Sequence, residues 1–379
     1  MKIAYCSDFY ATQRLVIGQI KNAKYIRIFT LSRYIFVLLD ILKKIGFYSH
    51  KWYFYFSNVC FGIFNKKNID CVHFFNQISL DSSVSWISQF ETQLPRYKTP
   101  TLGAIKAIAD KKCKAILPLS ECAYNIELYW LAPFPEYKDE IVAKMYVLHP
   151  PQKLLIDDMT SKIENDKLTF IFIGNDFFQK GGMEMLNALE KFSSSLVLII
   201  ISRMNINDYV TCSTIAHKRL ALDFFTRNRD WIDYYDGLPN VEVLQLVKKS
   251  DVGLLPTKAD TYGYSVLEMQ AAGVPVISTD VRALPEINND ECGWLIPVTK
   301  NNLGEALFSN EHELSNLSRE IENGLYSILA GIISEYEANG IGFIRKKGEL
   351  CLQRIAAEHS PTGYEKFLES IVCPQTLPA

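Results

Sequence analysis

Short continuous runs of Val, Ile, Leu and Phe alternate along the chain with longer stretches whose apolar residues recur at helical spacing. In the first half the runs are KIAYC from Lys2, VSWIS from Val84, KAILPLS from Lys114 and KMYVLH from Lys144. In the second half they are LTFIFIG from Leu168, SLVLIIIS from Ser195, DVGLLP from Asp251, VPVIST from Val274 and GWLIP from Gly293. An unbroken apolar run suits a strand covered on both faces, as in parallel sheets whose crossovers are helices. Strand and helix in alternation predict a doubly wound α/β fold.

At 379 residues the chain is too long for one ordinary core, so two domains are expected. The stretch LHPPQKLLIDDMTSKIENDK, from Leu148, has paired prolines and many polar residues and reads as the join. The expected division is an N-terminal domain over 1–150, a second domain over 151–345 and a helical tail over 346–379. Hydrophobic residues make up 48% of the chain, enough for sizeable cores, and a net charge of −2 gives no global pull towards nucleic acid. Nine scattered cysteines without a Cys-x-x-Cys pair read as reduced thiols, and hence a cytoplasmic protein. MKIAYCSD reads as a first strand rather than a signal peptide. The longest uncharged aromatic run, Trp52 to Asn65, is shorter than the roughly 20 residues of a spanning helix, so no transmembrane segment is expected.

Two stretches carry chemistry. In FIFIGNDFFQKGGMEML, from Phe170, a strand ends at Gly174 and a helix begins near Gly181. Glycines let backbone approach phosphate oxygens, a helix start carries about half a positive charge, and Lys180 adds a full one. An ordinary loop lysine fits the same residues equally well. In DVGLLPTKADTYGYSVLEMQAAGVPVIST, from Asp251, a strand leads through a polar loop into a helix from about Tyr262 to Ala272. Gly273 is placed to end that helix. Asp260 and Glu268 repel phosphate but suit the hydroxyls of a sugar, which they can accept several at a time. Backbone N–H groups at Gly263, Tyr264 and Ser265 could meet a phosphate. A lysine and a helix start for phosphate, with carboxylates for hydroxyls, describe a nucleotide-sugar site at the carboxyl ends of the strands.

These segments resemble the C-terminal half of glycosyltransferase family 4 enzymes, whose Glu-x7-Glu motif corresponds to Asp260 and Glu268. Pro256, Gly263, Leu267, Ala271, Gly273, Pro275, Thr279, Asp280, Pro285 and Glu286 fall in matching places, and Gly174, Lys180 and Gly181 meet the upstream pattern. The resemblance implies the GT-B fold, two facing Rossmann-like domains, with the C-terminal helix packing back on the N-terminal one. It implies retaining transfer from a nucleotide-diphosphate sugar, with a UDP-sugar expected ahead of a GDP-sugar. Lys180 would neutralise the diphosphate, Glu268 would bind the ribose, and Asp260 would contact the donor sugar. Gly263, Tyr264 and Ser265 would offer amides, and Val243 would sit by the base. Two positions depart from the pattern: the first Glu is Asp260, one methylene shorter, and the family's Arg is Asn175. Arg203 and Arg219 are candidate replacements for that cation.

No Asp-x-Asp triplet occurs, so Lys180 and a helix start are expected to do a metal's work, with no metal or other cofactor. On the acceptor side, WISQFETQLPRY from Trp86 offers Glu91 to orient an acceptor hydroxyl and Arg96 to meet phosphate; ordinary loop charges are the competing reading. His73 and His149 read as structural. Lys21 to Lys67 holds nine Lys/Arg against Asp40 alone and is dense in aromatics. That pattern suits a membrane surface, with a solvated face over an aromatic core as the alternative. The expected partners are therefore a nucleotide-sugar donor, a glycan or lipid-linked glycan acceptor and the cytoplasmic membrane surface, not nucleic acid. The function expected is surface polysaccharide synthesis, as of lipopolysaccharide or capsule. The rivals are an inactive binding partner and an epimerase or phosphorylase on the same fold.

Overall fold

The computed structural model describes residues 1–6, 11–47, 49–64, 68–96 and 101–373. They form two compact units, 1–151 with 359–373 and 152–358. Unit 1 contains a five-stranded sheet of β1 (Lys2–Tyr5), β2 (Lys24–Arg27), β3 (Cys71–Phe75), β4 (Trp86–Phe90) and β5 (Cys113–Pro118). Its order is β2-β1-β3-β4-β5, parallel throughout. All residues of β3 and β4 are buried, as strands covered by helices on both faces require. Three helices of this unit matter below: α1 (Leu31–Lys44), α2 (His50–Asn58) and α3 (Glu121–Leu131). The Thr30 side chain caps α1 by accepting from the Arg33 N–H, and Ser120 caps α3 by accepting from Ala123.

Unit 2 contains a six-stranded parallel sheet. Its strands are β6 (Leu168–Ile173), β7 (Leu196–Ile201), β8 (Ile232–Tyr235), β9 (Val252–Leu255), β10 (Val276–Thr279) and β11 (Gly293–Ile296). They run in the order β8-β7-β6-β9-β10-β11. The order reverses between β6 and β9, and open α/β sheets bind ligands beyond the strand ends at such a switch point. The helices that frame it are α4 (Gly182–Leu189), α5 (Asn240–Lys249) and α6 (Tyr264–Gln270), and α7 (Gly342–Glu358) belongs to the same unit.

The chain then returns to unit 1 as α8 (Pro361–Val372). Tyr364 and Leu368 enter a core with Ile3, Val16, Ala115 and Leu117, and the Tyr364 hydroxyl donates to Gln89 at 2.9 Å. Glu365 accepts from the backbone and side chain of Asn22 at 2.6 and 3.1 Å. The tail thus packs back as expected, but the crossing falls at residue 359 and not at 346. Residues 346–358 stay with unit 2, where Cys351, Leu352 and Ile355 of α7 are buried. The run from Lys144 makes no strand, only a single bridge from Ile116 to Met145. It starts at the end of a helix and meets Pro150 and Pro151, which cannot donate to a ladder.

Candidate active site

The loops that follow β6 and β9 leave neighbouring, directly paired strands. Hydrogen bonds lock one loop to the other. The Lys258 N–H donates to the Gln179 carbonyl at 2.9 Å, and Gln179 Nε2 returns a bond to the Ala259 carbonyl at 3.0 Å. Beneath them the buried Lys258 ammonium lies 2.6 Å from Glu184 Oε1. Phe177 and Phe178 bury the root of the first loop. This frame fixes Lys180. Its Nζ lies 2.6 Å from Asp260 Oδ2 and 3.3 Å from the Ala259 carbonyl, with both charged side chains mostly shielded from solvent. Asp260 Oδ1 in turn accepts from the Tyr262 N–H at 3.2 Å.

Two glycines make the close approach possible. Gly181 has φ of 76°, and a Cβ there would stand 2.0 Å from the Pro256 carbonyl oxygen. Gly263 has φ of 97°, and its Cβ would meet Leu284 at 2.5 Å. Only glycine takes both the left-handed backbone and the contact. Each glycine sits immediately before a helix, α4 or α6. The first N–H groups of these helices have no carbonyl of their own helix to bond.

Helix α6 sorts its residues by face. Val266, Leu267, Met269 and Gln270 are buried, whereas Tyr264, Ser265 and Glu268 are half-buried. Spacings of three and four put those three on one side. Buried Gln270 donates to the Ile287 carbonyl at 2.8 Å and so pins the helix to the segment before β11. Tyr262 is buried with its ring 5.3 Å from that of Tyr264, and burial pushes its hydroxyl well above the usual tyrosine range. Unit 2 therefore gathers Lys180, Gly181, Asp260, Gly263, Tyr264, Ser265 and Glu268 around the two loops that end β6 and β9.

Asn175, exposed in the first loop, reaches the end of β7. Its Oδ1 accepts from the Arg203 N–H at 3.4 Å, and its carbonyl accepts from Asn205 at 2.7 Å. Arg203 is an exposed cation beside the loop and lies against Gly237, in the turn after β8. Arg219 projects from the helix Ile215–Arg227 and is exposed. Val243 does not sit at a strand end. PNVEV is the start of α5, and the Val243 side chain is buried with Val247 on the apolar side of that helix. The strand lies upstream, in IDYY, so the turn at 236–239 takes the strand-end position.

In unit 1, Glu91 follows β4 and is buried. Its N–H donates to Asn76 Oδ1 at 3.1 Å, and its carboxylate lies 3.7 Å from the Arg96 guanidinium. Tyr97 lies outside the described residues. The sequence reading missed Glu127, on α3. This carboxyl is fully buried and accepts from the Leu94 N–H at 2.8 Å, and burial pushes it up to about 8. A lone charge between the apolar residues of YNIELYW was the signal for it. His73 is buried, bonded to the Tyr25 hydroxyl at 3.1 Å, and burial pushes its ring down to about 3.

Residues 157–319 match the family model described as Glycosyl transferases group 1. The group 1 match takes in β6 to β11 and both loops that hold Lys180 and Asp260. A Klebsiella pneumoniae relative, an uncharacterized 41.2 kDa protein in the cps region, is 25% identical over 130 residues, 34% of this chain and 32% of its own. The chain spans about a third of the length of the curated relatives it matches. A glycosyltransferase from Rickettsia africae superposes with a TM-score of 0.58 at 13% identity, covering 99% of both chains. Anabaena Alr3699/HepE, solved with UDP, gives 0.56 at 10% identity over 98% of this chain and 99% of its own. At such identities the likeness is one of fold: two α/β units with parallel sheets, as in GT-B glycosyltransferases.

Proposed function

We propose that the protein is a retaining, metal-independent family 4 glycosyltransferase that moves a hexose from a nucleotide-diphosphate sugar, preferably a UDP-sugar, to a glycan or lipid-linked glycan. The observation that carries this reading is the Lys180–Asp260 pair at the switch point, 2.6 Å apart and flanked by the helix starts of α4 and α6. In transfer the bond from the anomeric carbon to the diphosphate breaks, and a bond to an acceptor oxygen forms as its proton passes to an oxygen of the departing diphosphate. Negative charge grows on the departing diphosphate. A preorganised ammonium and helix N–H groups stabilise that charge without reorganising water. Lys180 exchanges Asp260 for the diphosphate, which frees Asp260 to accept from a hydroxyl of the donor sugar. Glu268, one turn along α6, accepts from the ribose. Arg203, held beside Asn175, supplies the second cation. In unit 1, Glu91 and its partner Arg96 bind the acceptor.

The group 1 match supports the transferase class, and the UDP bound to the Anabaena neighbour supports the choice of nucleotide. The place of the Klebsiella relative in a cps region supports an acceptor in surface polysaccharide synthesis at the cytoplasmic side of a membrane. Thermal shift with UDP-, GDP-, ADP- and CMP-sugars, with and without EDTA, tests the donor site through mass-action stabilisation. A shift with UDP-sugars alone, indifferent to EDTA and lost in Glu268→Ala, is expected. No shift with any nucleotide sugar overturns the reading. For the chemical step, Lys180→Ala is expected to lower kcat for donor turnover by roughly 100-fold or more. A kcat within a few-fold of wild type removes Lys180 from the leaving-group role.

A further inference from the structure

Helix α1 presents to solvent the kind of face that helices normally bury. At about 3.6 residues per turn, Tyr34, Val37, Leu38, Ile41 and Ile45 fall in one stripe. Their exposures run from 45% to 64%, and Phe47, in the turn that follows, is 73% exposed. The opposite side of the helix is the packed one: Ser32 and Phe36 are buried, and the Phe36 ring lies 4.9 Å from Tyr53 of α2. So the apolar stripe is not the side that α1 uses to fold. One of its edges is cationic, and the segment around it is basic. From residue 21 to residue 64 there are seven Lys/Arg against Asp40 alone, and Asp40 is held by Lys44 at 3.3 Å. On the helical wheel Arg33 and Lys44 lie together along one edge of the stripe, and Leu31, Ile35 and Leu42 along the other.

An apolar stripe with cations along one edge, in a basic segment, suits the boundary between the headgroups and acyl chains of an anionic bilayer. With 14 residues α1 is too short to span, and no helix among the described residues is long and apolar enough to do so. A second copy of the same face would bring like charges together. Nucleic acid would gain nothing from Val37, Leu38, Ile41 and Ile45, which neither donate nor stack. We propose that α1 lies flat in an anionic membrane surface, with Leu38 and Ile41 at the deepest point of insertion. This extends the lipid-linked acceptor reading above by giving unit 1 its own membrane-binding surface.

Sedimentation of the full chain with phosphatidylcholine vesicles, with and without phosphatidylglycerol, tests the proposal. The protein is expected to pellet with the phosphatidylglycerol vesicles and to bind them less as salt rises. Leu38→Asp/Ile41→Asp is expected to weaken partitioning roughly tenfold or more. Both substitutions lie on the exposed side, so circular dichroism should match wild type; Arg33→Gln/Lys44→Gln, which leaves the stripe intact, should weaken binding through charge alone. Equal binding to neutral vesicles, binding unchanged in the aspartate variant, or loss of a wild-type dimer in that variant would overturn the proposal. The nucleotide-sugar thermal shift on the same samples keeps the two readings apart. A retained shift without vesicle binding sinks the surface alone, and vesicle binding without any shift sinks the donor site alone.

Discussion

Gly181 stands where a side chain has no room. A methyl group at this position meets the Pro256 carbonyl at 2.0 Å and also requires an L-residue at φ of 76°. The left-handed conformation alone costs about 1 kcal/mol or more, and the contact forces the two loops apart. Gly181→Ala is therefore expected to lower the melting temperature and, because Lys180 moves with the loop, to abolish the donor-induced shift. Unchanged nucleotide binding in a folded Gly181→Ala protein would show that the loop contact is dispensable. Glu127 makes a different prediction at the same scale. Its carboxyl keeps its proton in the folded protein up to about 8, against 4.5 as the ordinary value. Between those two values the folded chain holds a proton that the unfolded chain has released. Unfolding then releases it, so this contribution is full in acid and is lost as pH rises through the window. Melting temperature against pH should fall more steeply over that range in wild type than in Glu127→Gln, whose amide still accepts from Leu94. Parallel curves would refute the assignment. Asp260 and Glu268 fall near each other by sequence alone because a loop and one helical turn set their spacing, whereas the Lys180–Asp260 contact joins residues 80 positions apart. Glu127 was not assigned, because its partner is 33 residues away in another segment. That Arg203 rather than Arg219 lies beside Asn175 likewise depends on which strands pair.

At the scale of elements, strands rich in Val, Ile, Leu and Phe were plain: LTFIFI, LVLIII and VIST all lie inside the sheet of unit 2, away from its edges. KYIR and IDYY were missed. Each is the edge strand of its sheet, with a polar end and half-exposed positions, so it lacks the apolar continuity of a strand covered on both faces. CVHFF was missed although it is fully buried, because a histidine interrupts it. PNVEV, placed by the resemblance near the base, opens α5 and buries Val243 on its apolar side. Helix α8 was foreseen as a helix, but periodicity does not say what a helix packs against. Its Leu368 has no exposure and lies in the core beneath β1 and β5. Leu368→Ala should cost about 3 kcal/mol and lower the denaturant midpoint of unit 1. A cost under about 0.5 kcal/mol, the usual bound for surface changes, would mean that α8 is not docked in solution.

Across the whole molecule, parallel sheets and two units follow from the sequence pattern, while the path between the units does not. The expected division cut the chain once near residue 150 and set apart a tail from residue 346. In the structure the second crossing comes at residue 359, because Gly348 of α7 approaches the Gly273 carbonyl so closely that a Cβ would stand 2.5 Å from it. Such contacts join residues 75 positions apart and leave no periodic trace.

The late return of α8 also sets an order of events on the ribosome. Every residue of unit 2 has been synthesised once position 358 is made, before any residue of α8. Unit 1 is made first and finished last. The seat of Tyr364 and Leu368 stays open for more than 200 residues of synthesis, with Ile3, Ala115 and Leu117 at its walls. A chain truncated at residue 358 and released should thus carry a protected unit 2 and a unit 1 that proteases and chaperones still engage.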